Sequence, residues 1–338
     1  MSIIDNGEIN TTIIGAGSIG ALKPDKYDTP GGKNVLTHAH ALHRDDRFRT
    51  LAILDTDDDK AEKAAEKWGL TQSLDDIWCD RLVKEETVVL VVAAPTENHH
   101  EIILRAIAEM PKLRVIVLEK PAGMSSQQCE AILATAQQAD ITVIVNYTRR
   151  FVHDLRQIRF ALSRGVYGTV YAAELIYGRG LKREASHALD FFNSCFGFPE
   201  VVKLLWGGWA DYTLHDPSPG VFLSYGENCP HVTLTPVPAP AYSIFEMVFH
   251  TKKGILKLMD NGATFRHYTP VDEPVYGNYP SVRSDKYVEH KIKLTEALPA
   301  LYDNVYDVVN NNDVPWCTLQ DAMLVHNIYN RLETNLNE

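Results

Sequence analysis

Val115-Ile116-Val117-Leu118-Glu119-Lys120-Pro121 is the stretch from which the fold is read. Four apolar residues in a row, three of them β-branched, fit a strand buried on both faces of a parallel sheet. The run then stops at a carboxylate, an amine and a proline. Ligands of open α/β sheets bind beyond the carboxyl ends of the strands, so Lys120 stands where a reacting group would sit. An ammonium at an apolar strand end loses hydration, which lowers its pKa toward a range useful for proton transfer. The competing reading is a surface Glu–Lys pair closing a strand. The flanking sequence decides between them.

Upstream, Glu8 to Ile14 is a short β-rich run that leads into Gly15-Ala16-Gly17-Ser18-Ile19-Gly20. A G-x-G-x-x-G between a strand and a helix lets backbone N–H groups approach a pyrophosphate. A second strand, Thr50 to Leu54, ends at Asp55-Thr56, where an acid can bond a ribose hydroxyl. The acids Asp57, Asp58 and Asp59 follow, with no arginine close by in sequence, so NAD is expected over NADP, with NADP still possible. The distance from Gly20 to Asp55 exceeds the usual ~20 residues. The excess lies in Ala21 to Asn34, either a tolerated surface insertion or a lid that turns Lys23 and Tyr27 to the ligand. Further helices are expected over Lys60 to Trp68, over Leu74 to Trp78 with Ser73 as its cap, and from Glu101 to Met110. Thr87 to Ala94 is the most strand-like run. Strand–helix alternation at this spacing predicts a doubly wound parallel sheet.

Taken together, these residues resemble the glucose-fructose oxidoreductase/inositol dehydrogenase (Gfo/Idh/MocA) family. The likeness is carried by Gly15 to Gly20, Asp55, Ala94-Pro95-Thr96 with His99, Glu119-Lys120-Pro121 and Asn146-Tyr147-Thr148-Arg149-Arg150-Phe151. It implies an N-terminal Rossmann domain and a C-terminal α+β domain with an open, mostly antiparallel sheet. The division is placed at residues 1–122 and 123–338, and the last helix is a candidate to pack back on the first domain. It also implies NAD(P)-dependent chemistry on a hydroxyl of a sugar, cyclitol or nucleotide-sugar. Cofactor contacts are then expected from Gly15, Gly17, Ser18, Ile19, Gly20, Asp55, Thr56, Ala94, Pro95, Thr96, His99, Glu119, Lys120 and Asn146.

In the second half, Ser125 or Ser126 can cap a helix from Gln127 to Ala139, and Ile141 to Val145 is a strand delivering Asn146. The resemblance places Asn146 and Arg150 near the nicotinamide, while an ion pair with a structural role is the other reading of Arg149 and Arg150. Thr169 to Tyr177 alternates as a strand. The family carries a His-x-x-Asp on the following helix, matched by His187-Ala188-Leu189-Asp190. Many members have an aspartate one turn earlier; here that position is Arg183. The substitution speaks against an Asp–His relay and for an anionic substrate, with Arg179 and Lys182 adding charge. Lys120 and His187 are therefore the expected catalytic pair, and Lys120, Arg150, Arg183 and His187 the substrate contacts. Beyond Gly197, short strands include Val201 to Trp206 and Val221 to Tyr225, and Asp260-Asn261-Gly262 signals a hairpin. Tyr276 and Tyr279 could stack on a sugar or base. Two amphipathic helices, Glu296 to Val309 and Leu319 to Leu332, close the chain.

Composition narrows the partners. A net charge of −11 over 338 residues argues against nucleic acid or an anionic membrane as partner. No apolar run reaches the ~18 residues of a membrane span, and Met1 to Asp5 lacks signal-peptide character. Five scattered cysteines read as reduced thiols of a cytoplasmic protein. No metal-ligand spacing is present, so no metal is expected. A homodimer or homotetramer is expected from the family. The alternatives are a non-catalytic NAD(P)-binding sensor, an NAD-assisted glycosidase, and an NADPH-dependent aldehyde or imine reductase.

Overall fold

The computed structural model describes residues 7–70, 73–74, 78, 80–227, 229–272 and 279–336. The chain folds as two units. One runs to Val152 and takes in Thr295–Met323; the other holds His153–Leu294 and the chain from Leu324.

The first unit contains β1 (Ile9–Ile14), β2 (Phe48–Leu54), β3 (Ser73–Leu74), β4 (Val89–Val92), β5 (Val115–Leu118) and β6 (Thr142–Val145). All pairs are parallel, in the order β3-β2-β1-β4-β5-β6. The connecting helices are α1 (His38–His43), α2 (Asp58–Trp68), α3 (Arg81–Glu86), α4 (Thr96–Glu109) and α5 (Ser126–Gln138). β4 and β5 are buried throughout, as their unbroken apolar runs require. β1 instead buries Thr11 and Thr12. Thr87 donates to the Val83 carbonyl (2.6 Å), so the Thr12 hydroxyl, 2.8 Å away, donates to Thr87 and neither is left unsatisfied.

Strand register sets up the site. Leu54, Ile14, Val92, Leu118 and Val145 lie level across five neighbouring strands. The next residue of each therefore leaves the sheet at one edge: Asp55, Gly15, Ala93, Glu119 and Asn146. The strand order reverses between β1 and β4, which is where such sheets open a crevice for ligands.

The second unit begins with α6 (His153–Ser163), β7 (Val170–Tyr177) and α7 (Ser186–Phe196). Then come β8 (Val201–Thr213), β9 (Asp216–Ser224), β10 (His231–Pro236), β11 (Phe245–Thr251), β12 (Gly254–Met259), β13 (Thr264–Val271) and β14 (Ser281–Lys291). They form one sheet in the order β14-β13-β12-β11-β7-β10-β9-β8, antiparallel except where β10 pairs with β7. Phe191 and Phe192 of α7 pack on Phe249 of β11 with ring centroids 5.9 and 5.8 Å apart. α8 (Ala297–Val309) belongs to the first unit, and α9 (Leu319–Leu336) starts in the first and ends in the second.

Two sequence expectations are corrected. Leu74, expected to open a helix, instead lies in the strand β3 (Ser73–Leu74) beside Ile53 and Leu54; residues 75–77 lie outside the described set. The strand expected to stop at Trp206 continues to Thr213. Gly207 and Gly208 sit within it at register shifts of the β8–β9 ladder, with Gly208 at φ 75°. Among the described residues no helix is long and apolar enough to cross a membrane.

Candidate functional site

The glycine loop leaves β1 at Gly15, whose N–H donates to the Leu54 carbonyl (2.7 Å). Gly15 has φ +103°, and a Cβ there would lie 2.5 Å from the Ala93 backbone. A Cβ on Gly20 would lie 1.8 Å from the Gly15 carbonyl oxygen. Gly17 is different: a Cβ there would meet nothing within 4 Å. Two glycines thus let the chain fold on itself, and the third leaves its backbone open to an approaching group. The Asp55 carboxylate reaches this loop, accepting from the Ala16 N–H (2.9 Å) and the Asp57 N–H (3.1 Å). Thr96 opens α4, with Pro95 at its cap. His99, buried one turn on, has Nε2 2.9 Å from the Ala94 carbonyl and so carries its proton there. Burial holds this imidazole below its ordinary pKa, against the opposing pull of the Ala94 carbonyl and of Glu119.

The long spacing between Gly20 and Asp55 has a structural explanation. The Gly17 carbonyl accepts from Ala21 and Leu22, closing a single helical turn. The His38 N–H then donates to the Ile19 carbonyl and Ala39 to Gly20 (both 2.9 Å). In an uninterrupted helix residues 23 and 24 would make those bonds. The chain therefore leaves the helix at Lys23 and re-enters it in phase at His38, so residues 23–37 are spliced into one helix. The splice is held by Asp28, which is fully buried and accepts from the Leu36 N–H (3.1 Å), the Thr37 hydroxyl (2.7 Å) and His40 Nδ1 (2.6 Å). Trp68 of α2 donates to the Ala21 carbonyl (2.9 Å) and Lys67 to the Lys23 carbonyl (2.8 Å).

The re-entry point carries chemistry that the sequence did not signal. His38 Nε2 lies 2.9 Å from Glu119 Oε1, and its Nδ1 lies 2.9 Å from the Tyr302 hydroxyl. Burial keeps Tyr302 a phenol, so a hydrogen-bond chain can run from Tyr302 through His38 to Glu119. Asn146 Nδ2 donates to the same carboxylate oxygen (2.6 Å), and the Asn146 N–H donates to the Leu118 carbonyl (2.8 Å). Burial alone would raise the Glu119 carboxyl. The hydrogen bonds from His38 and Asn146 and the charge of Lys120 outweigh it and hold the group below the usual carboxylate range. Lys120 is half-buried beside this fixed negative charge, and its peptide bond to Pro121 is cis. Asn146 Oδ1 is buried and accepts nothing from the described residues.

Arg150 is placed by a different set of contacts. It is buried, 3.2 Å from Asp321 and 3.3 Å from the Trp316 carbonyl, which fits the ion-pair reading of that residue.

The second unit holds the other expected residues. A π-helical turn, Leu181–Ala185, runs into α7, which carries His187 and the buried Asp190. Two aspartates that the sequence did not mark clamp this turn. Asp216 accepts from the N–H groups of Lys182 and Arg183 (both 2.8 Å), and Asp211 from Arg179 N–H (2.8 Å) and the Ser218 hydroxyl (2.8 Å). A Cβ on Gly180 would strike Asp216 at 2.2 Å. The Arg183 guanidinium lies 4.2 Å from the Tyr212 ring centroid, and Lys182 Nζ lies 3.3 Å from Glu333. Both cations are thus engaged inside the unit. Tyr276 lies outside the described residues, and Tyr279 is 86% exposed.

With this geometry in view, comparison with known proteins is specific. The sequence model of the Gfo/Idh/MocA oxidoreductases, described as a family with an NAD-binding Rossmann fold, matches residues 9–147. Over these residues the chain is similar to the NAD-binding domain of the Gfo/Idh/MocA family. Among its relatives, myo-inositol 2-dehydrogenase of Thermotoga maritima is 22% identical over 55% of this chain and 50% of its own. D-Glucoside 3-dehydrogenase of Escherichia coli is 26% identical over 60% of this chain and 58% of its own. The match thus spans about half to three-fifths of these relatives' length. An Agrobacterium radiobacter oxidoreductase, solved with NAD+, L-tartaric acid and magnesium, shares the fold with a TM-score of 0.74 at 12% identity, covering 98% of this chain and 97% of its own. The NAD-binding fold of the family agrees with the open Gly17 backbone, the Asp55 carboxylate and the buried Asn146 acceptor.

Proposed function

We propose that the protein is a dehydrogenase that moves a hydride between NAD and a secondary hydroxyl of a sugar, cyclitol or nucleotide-sugar, and that Lys120 exchanges the hydroxyl proton. The observation carrying this reading is the single row at the sheet edge, in which Asp55, Gly15, Ala93, Glu119 and Asn146 follow five level strands. The names of two relatives, dehydrogenases of myo-inositol and of D-glucosides, support a ring polyol as substrate.

Bound NAD supplies the carbon that takes the hydride. Gly17 and Ser18 would offer backbone N–H groups to its pyrophosphate, Asp55 would accept from its ribose, and Asn146 Oδ1 would accept from its carboxamide. In oxidation Lys120, as the neutral amine, would accept the hydroxyl proton, and in reduction the resulting ammonium would donate it back to the carbonyl oxygen. Its ammonium offsets negative charge growing on that oxygen, and help of this kind is worth roughly 10²–10⁴-fold. Glu119, fixed by His38 and Asn146, sets a negative charge beside Lys120 in the chain. His187 is proposed as a second partner of the substrate oxygen.

Asp55 is committed to the loop and followed by Asp57, Asp58 and Asp59, so a 2′-phosphate would meet negative charge. NADH is expected to bind at least about tenfold more tightly than NADPH. Fluorescence titration with each, beside NADH formation from NAD+ across sugars, cyclitols and nucleotide-sugars, is the test. Equal or tighter binding of NADPH would refute the assignment of Asp55.

A further inference from the structure

Lys23 marks the exit of the spliced segment. His38 occupies the backbone position that residue 23 would hold in an uninterrupted helix, so the two residues meet at the splice junction. His38 itself is hydrogen-bonded to Glu119. Lys23 is thereby held next to His38, the residue bonded to Glu119, by segment 23–37, which Asp28, Lys67 and Trp68 keep in place.

The electrostatics agree with that placement. Burial lowers the Lys23 pKa, opposed by the nearby charges of Asp28 and Glu119. Neither carboxylate bonds the Lys23 ammonium. Asp28 is satisfied by Leu36, Thr37 and His40, and Glu119 accepts from His38 and Asn146. Among the described residues the Lys23 ammonium makes no hydrogen bond or ion pair. A partly desolvated ammonium with three donors to place calls for an acceptor from outside the chain. The glycine loop offers its own N–H groups at the start of the helix, whereas Lys23 stands at the end of the first turn, on the His38 side of the splice. The reacting end of the site is therefore the end it serves.

Resting on the dehydrogenase reading above, we propose that Lys23 is a second substrate-binding cation, supplied by the spliced segment, that selects a sugar bearing a carboxylate near the reacting hydroxyl. A carboxylate accepting from an ammonium forms a charge-assisted bond, the strong kind, whereas a neutral hydroxyl at that point gains much less. Arg183, Lys182 and Arg150 already have partners in Tyr212, Glu333 and Asp321, which leaves the selection of charge to Lys23.

The test compares wild type with Lys23→Met and Lys23→Arg, using D-glucuronate with D-glucose and D-galacturonate with D-galactose as probes. Calorimetric binding to the NAD+-saturated protein is measured beside turnover, and NADH affinity is measured separately. We expect wild type to favour the acid of at least one pair by about tenfold or more. Lys23→Met should lose that preference while binding NADH within about twofold of wild type, and Lys23→Arg should keep most of it. Absence of an acid preference in wild type, its survival in Lys23→Met, or an equal loss of NADH binding in Lys23→Met overturns the proposal. If wild type binds NADH and turnover depends on Lys120 while any of these occurs, Lys23 alone is misassigned. If wild type binds no NADH, the dehydrogenase reading fails first.

Discussion

Lys120→Met is expected to lose roughly 10²–10⁴-fold or more in kcat/KM while its dissociation constant for NADH stays within about twofold of wild type. Methionine keeps the length and the apolar stem of lysine but removes the proton and the charge. The Glu119 carboxylate retains its hydrogen bonds to His38 and Asn146 after the change, so the corner of the site stays built. The loss should therefore fall on turnover, with little change in melting temperature. Lys120→Arg supplies charge without an easily moved proton, and should recover little of the rate. Steady-state kinetics with a thermal melt of each variant check this. An active Lys120→Met protein would remove the lysine from the reaction.

The second large effect separates two glycines of one loop. Gly20→Ala places a methyl where the Gly15 carbonyl oxygen already sits, 1.8 Å away. Backbone cannot swing aside as a side chain can, and the loop must break its turn. A cost of about 3 kcal/mol or more in stability is expected, at the upper end of overpacking. Gly17→Ala meets no atom within 4 Å and has no left-handed backbone to strain. Its stability should change by less than about 0.5 kcal/mol. It does fill the space through which a pyrophosphate would reach the loop N–H groups, so NADH affinity should fall by about tenfold or more. Thermal melts and NADH titrations of both variants give the comparison. If Gly17→Ala binds NADH as wild type does, the loop does not hold the dinucleotide in this way.

Much of the first unit is legible because its signals are local. Apolar runs such as Leu90 to Val92 and Val115 to Leu118 declare buried strands, and each ends at a residue whose place in the row follows from sheet register. Asp55, Glu119 and Asn146 could thus be named as a group from sequence. The spliced helix could not. Periodicity shows helix only from Val35 onward, and nothing in residues 23–37 says that His38 resumes the phase left at Lys23. The acid at Asp28 reads as solvated because acids mostly are; it is buried because three donors distant by 8 to 12 residues converge on it. His38 reads as one of several histidines until Tyr302, 264 residues away, comes to its ring. Asp211 and Asp216 escape for the same reason, since their partners at Arg179, Lys182 and Arg183 are 32 to 34 residues distant. Long-range hydrogen bonds leave no periodic mark on a sequence.

An alcohol C–H oxidised at the edge of the first sheet, with Lys120 holding the oxygen, would pass its hydrogen to the nicotinamide ring. The most direct measurement of this transfer uses myo-inositol and D-glucosides deuterated at the ring C–H positions, incubated with NAD+ and the protein, with the recovered dinucleotide analysed by NMR. Deuterium at nicotinamide carbon 4, transferred to one face only and lost with Lys120→Met, is the predicted result. A protein that binds NADH tightly yet never labels it, or labels it equally without Lys120, would contradict the account.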